Sequence, residues 1–148
     1  MMSTRGIALS LVCGIGVLGV LAPSAYAEPN SCKVPTTVAG HSILMEDTDP
    51  PSPENPNAYQ SYVMVYASNG TYKYVNIDGQ RYNGTYTYSL QPDGRGLIAS
   101  DEMDGTTPVK YTLTLTCSTD TAGTYVYQQT AGTAPSQRSN NSKYALVP

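Results

Sequence analysis

The sequence predicts an all-β domain: an antiparallel up-and-down meander closing into a barrel of seven or eight strands, with a two-sheet β-sandwich as the alternative. Three observations predict it. From Tyr59 onward, short runs rich in Tyr, Thr and Val recur, and these residues suit a pleated, half-buried surface. Turn dipeptides separate the runs at Asn69-Gly70, Asp78-Gly79, Asn83-Gly84, Asp93-Gly94 and Asp104-Gly105, where both central positions tolerate positive φ. In Val109–Cys117 every odd position is apolar and every even one is Lys or Thr, so one strand face is dry and the other wet. Outside the first 27 residues no window repeats apolar residues at helical spacing.

The chain opens on an export signal. Arg5 gives a positive start, an uncharged run rich in Leu, Val, Ile and Gly spans Ile7 to Leu21, and Ala25-Tyr26-Ala27 places small residues where a signal peptidase cuts. The run is short for a membrane span of about 20 residues. Cleavage after Ala27 predicts a secreted or periplasmic protein with no integral membrane segment and one domain over residues 28–148. Of 148 residues, 121 then remain, enough to bury a core. Loss of Arg5 takes the net charge from −3 to −4. Mild acidity without a basic stripe argues against nucleic acid and anionic membranes as partners.

Cys13 leaves with the signal, and Cys32 and Cys117 remain. In an oxidising compartment one disulfide is the economical reading, with two free thiols as the alternative. Cys117 falls on the dry face of its strand, which suits a bond to Cys32. A first strand is expected over Thr37–Glu46. Residues 48–57 hold four prolines, which exclude helix and central strand and predict a loop. Further strands are expected at Gln60–Ala67, Thr71–Ile77, Thr85–Leu90, Gly96–Asp101, Val109–Cys117 and Thr124–Thr130. The pairs Tyr72/Tyr74, Tyr86/Tyr88 and Tyr125/Tyr127 each mark a two-residue step. Residues 131–142 are poor in apolar side chains and predict a flexible segment, and Lys143–Val147 closes the series.

The stretch Asp78-Gly79-Gln80-Arg81-Tyr82-Asn83-Gly84-Thr85-Tyr86-Thr87-Tyr88, with Thr112–Cys117 and Ala122-Gly123-Thr124-Tyr125, resembles MoaF-like domains of the lipocalin-type (calycin) barrels. Val38–Leu44 resembles that family's opening strand. The likeness covers most of residues 38–130 and consists of packing positions; Cys117 stands where the family pattern usually has an aromatic, and the proline-rich loop is extra. The resemblance implies a lipocalin-like barrel able to hold a small apolar ligand. It carries over no catalytic residue.

Little else points to chemistry. His41 is the only histidine, and its neighbour Ser42 would face the other side of a strand, so His41 reads as a polar strand residue near the barrel mouth. Two cysteines and one histidine are too few for a zinc site. The acidic groups Glu46, Asp47, Asp49 and Asp101, Glu102, Asp104 lack calcium-loop spacing and read as solvated turn charges. No phosphate-cradling glycine loop is present, and the sequence calls for no cofactor, metal or catalytic residue.

Tyrosine is the unusual feature: 13 residues, 12 after cleavage, with no Phe or Trp. Each ring brings apolar area and a hydroxyl that needs a partner when buried. Tyrosine can fill the core, line a cavity or form an outer recognition surface. The leading expectation is a non-enzymatic exported barrel binding a small apolar or aromatic ligand through Tyr72, Tyr74, Tyr86, Tyr88, Tyr111, Leu113, Leu115, Tyr125 and Tyr127, in a cavity of at least about 300 Å³. The second is a protein-binding module, such as a hydrolase inhibitor or surface interaction domain, that uses the Pro50–Pro56 loop as its probe.

Overall fold

Alternating dry and wet side chains leave each strand one face to bury, and consecutive hairpins bring those faces together. In the structure, a computed structural model that describes residues 32–55, 58–132 and 139–148, this produces a closed barrel. Its strands are β1 (Ser42–Asp47), β2 (Ser61–Tyr66), β3 (Thr71–Val75), β4 (Arg81–Leu90), β5 (Gly96–Asp104), β6 (Thr107–Thr119), β7 (Ala122–Ala131) and β8 (Ser139–Val147). Each pairs antiparallel with the next, and β8 returns to β1. The barrel reading holds, and the sandwich does not. The expected signal, residues 1–27, lies outside the described residues.

One residue in two points inward. Ile43, Met45, Met64, Tyr66, Tyr72, Ile98, Tyr111, Leu113, Leu115, Tyr125 and Tyr144 form the buried core. One end of the barrel is plugged. Residues 32–41 fold across it with Val34 and Val38 buried, and the Tyr88 hydroxyl donates to the Pro35 carbonyl. Cys32 and Cys117 join in a disulfide, their Cα atoms 6.0 Å apart across a sequence separation of 85. By loop-closure entropy such a link contributes about 4 kcal/mol.

Four expectations need correction. The strand expected over Thr37–Glu46 starts only at Ser42, because Gly40 at φ 82° turns the chain and Val38 serves the plug. His41 therefore sits at the plugged end, where its carbonyl accepts from the Tyr66 amide. Asn83-Gly84 is no turn: both residues lie within β4. Gly84 stands opposite Tyr72 in the ladder, and a Cβ there would meet the Tyr72 ring at 2.9 Å and the Asp101 carbonyl at 2.4 Å. The segment expected to be flexible shortens from both sides, since β7 reaches Ala131 and β8 starts at Ser139; its residues 133–138 lie outside the described residues. The proline-rich loop carries no regular structure over 48–55, and residues 56–57 lie outside the described set.

Candidate functional site: an acidic, tyrosine-walled cup

Above the core the barrel is hollow. Its unplugged end encloses a cup of about 250 Å³, just under the range of about 300–1,000 Å³ usual for small-molecule sites. The inward parity of each strand decides what lines it. β1 contributes Asp47, its last residue, and β2, β3 and β4 contribute Tyr62, Tyr74 and Tyr82, each one residue in from the strand end nearest the cup. On the other side β5 supplies Glu102 and Asp104, β6 Val109 and Tyr111, β7 Tyr127 and β8 Asn140. Asn55, from the proline-rich loop, closes the rim.

Glu102 is the centre of the arrangement and is 7 % exposed. Tyr72 donates to its Oε2 at 2.7 Å and Tyr74 to its Oε1 at 3.2 Å. Tyr111 donates to the Tyr72 hydroxyl at 2.9 Å, so proton donors run in series toward the carboxylate. Burial raises the Glu102 pKa above the ordinary carboxylate value, against the lowering pull of these hydroxyls. The same burial holds Tyr72, Tyr74 and Tyr111 well above the usual phenol range, so they act as donors.

Asp47 is the second buried carboxylate, also 7 % exposed. Asn140 Nδ2 donates to its Oδ2 at 2.7 Å, Asn55 Nδ2 to the same oxygen at 3.4 Å, and the Asp49 amide to its Oδ1 at 3.0 Å. Its pKa is also raised, chiefly by burial. Asp49 accepts from the Asn141 amide at 2.8 Å, and Thr48 donates to the Asn141 carbonyl at 3.2 Å; these bonds tie the loop down beside β8. Neither Asp47 nor Glu102 is the solvated turn charge expected of it.

Rings complete the walls. Tyr62 and Tyr74 lie 5.1 Å apart, Tyr74 and Tyr82 stack at 4.9 Å, and Tyr111 and Tyr127 lie 5.0 Å apart. Four carboxylates line the cup — Asp47, Asp78, Glu102 and Asp104 — and no Lys, Arg or His stands among the described residues that line it. No cluster of three or more His, Cys, Asp or Glu suited to a metal ion occurs among the described residues.

No family profile, curated protein or solved structure matches this chain. The site is therefore read from its own geometry. Of the residues expected to face a ligand, Tyr74, Tyr111 and Tyr127 line the cup, and Tyr72 sits beneath them as the support of Glu102. Leu113, Leu115 and Tyr125 belong to the solid core, with Tyr86 and Tyr88 packed against it toward the plug. The sequence reading missed Asp47, Asn55, Tyr62, Tyr82, Glu102 and Asn140. Strand parity carried a signal for Glu102: it shares the even-numbered face of β5 with the fully buried Ile98.

Proposed function

We propose that the protein is a non-catalytic, exported binding barrel whose cup takes a small organic cation, an amine or quaternary ammonium with a compact apolar body. The observation that carries this reading is the pairing of two buried carboxylates with tyrosine walls in a cup that has no cationic side chain among its described lining residues. A buried carboxylate without a counter-charge is costly. A ligand cation supplies the counter-charge, and ring faces within about 6 Å of it add attraction that strengthens as water leaves. A purely apolar ligand would strip water from Glu102, Asp47 and Asn140 and give nothing back. The disulfide supports the exported setting, since such links persist in oxidising compartments.

The test is a titration of the protein with phenethylammonium and tetramethylammonium, set against the neutral analogues phenylethanol and tert-butanol, followed by NMR of the tyrosine rings. Saturable binding is expected for the cations alone. Glu102→Gln should weaken it at least about tenfold, equivalent to about 1.4 kcal/mol. Equal binding of the neutral analogues, or an unchanged affinity in Glu102→Gln, would overturn the reading.

A further inference from the structure

The barrel wall is not sealed evenly. β2 and β3 are paired only at Val65 with Lys73 and Tyr66 with Tyr72, whereas β1 meets β2 over five pairs and β3 meets β4 over five. Beyond Val65 and Lys73 the ladder stops, toward the cup end. Backbone direction shows what the gap exposes. The Tyr66 amide donates to His41 on the β1 side, and the Ala67 amide donates to Thr71 on the β3 side. Backbone groups alternate sides in antiparallel strands. Val63 and Ser61 of β2, and Val75 of β3, therefore turn their amides and carbonyls into a seam where the ladder has stopped.

Over this seam lies a groove of about 780 Å³, outside the cup. Its walls are the exposed aliphatic side chains of Leu44, Val63, Val65 and Val75. Lys73 and Arg81 flank them, and among the described residues neither forms an ion pair. Tyr62, Tyr74 and Tyr82 form the floor and separate groove from cup.

We propose that this seam is a docking groove for an extended peptide segment in which aliphatic residues alternate with acidic ones. Each element of the groove asks for one part of that partner. The unladdered backbone asks for amides and carbonyls at strand spacing, which an added strand supplies. The four aliphatic walls ask for apolar side chains on one face of that strand. Two cations without an ion pair among the described residues, on a chain of net charge −3, ask for carboxylates. An amphiphilic anion such as a fatty acid meets the last two demands but leaves the seam's backbone groups without partners.

Fluorescence anisotropy with a labelled Val-Glu-Val-Asp-Val peptide tests the proposal. The controls are its lysine counterpart, the same acidic peptide N-methylated at alternate amides, and decanoate as competitor. The acidic peptide should bind saturably. N-methylation should weaken it at least tenfold, and the Lys73→Glu/Arg81→Glu double variant should lose it and accept the lysine peptide. Both side chains are on the outer face of the barrel, so the double variant should melt like the parent. Equal affinity for the N-methylated peptide, binding of decanoate without the peptide, or no binding of any probe would each overturn the proposal.

Discussion

At the scale of single residues, positions are explained by what the facing strand needs. Gly84 is the clearest case. Its missing side chain lets the Tyr72 ring lean across β4, and that ring carries the hydroxyl held at 2.7 Å from Glu102. Gly84→Ala should displace Tyr72 and cost about 1–3 kcal/mol, the usual range for overpacking, measured by urea unfolding; a loss below a few tenths would show that the ring has room to shift. Glu102→Gln should act in the opposite direction. It keeps an acceptor for the tyrosine hydroxyls and removes a buried charge, so the variant should melt above the parent at pH 8. The role of Gly84 is not legible in the sequence, and that of Glu102 is legible only through strand parity. Asn83-Gly84 carries a strong turn signal in isolation, and only the position of Tyr72 across the ladder overrides it. Glu102 sits among Asp101 and Asp104, and an acidic cluster beside a turn reads as solvated unless parity is followed through the strand.

Among the elements, legibility follows the strength of the two-residue alternation. Val109–Cys117 is readable because its apolar and polar positions alternate cleanly, and it lies within β6; Thr124–Thr130, marked only by the two-residue step from Tyr125 to Tyr127, lies within β7. The first strand starts five residues later than its composition suggests, because Val38 is buried in the plug and not in a strand. A plug has no period, so nothing local distinguishes it from the strand that follows. Its attachment gives a measurable prediction. Cys32→Ser with Cys117→Ser removes the link across 85 residues and should lower stability by about 4 kcal/mol. Tyr88→Phe, which removes only the bond to the Pro35 carbonyl, should cost about 1 kcal/mol. Urea midpoints of the two variants, with the parent measured with and without reductant, check both values. A reduced parent as stable as the oxidised one would show that buried Val34 and Val38 hold the plug without the disulfide.

Over the whole molecule the barrel is polarised, with a disulfide-tied apolar plug at one end and a cup holding two buried carboxylates at the other. Closure was legible, because a meander this long must hide its edges; the polarity was not, because it depends on which inward residues lie at the same height on different strands. It has a consequence for pH. The pKa values of Glu102 and Asp47 are raised by burial, so the folded protein binds these protons more tightly than the unfolded chain, whose carboxyls titrate near about 4. Stability should therefore fall as pH rises from about 4 through the raised values, then level off. Asp93 works in a separate window. Its pKa is lowered by its hydrogen bonds to Arg95, so its contribution is lost only on acidification, as pH falls below the ordinary aspartate value. Cation binding should run against stability, strengthening over the same rise in pH as Glu102 ionises. Thermal melts from pH 3.5 to 8, with and without phenethylammonium, check the sign. The ligand should flatten the decline by favouring the ionised cup, and Glu102→Gln should flatten it without ligand. A parent whose stability climbs steadily over this range would mean that Glu102 and Asp47 are solvated, and the cup would then lose the uncompensated charge from which its choice of ligand is argued.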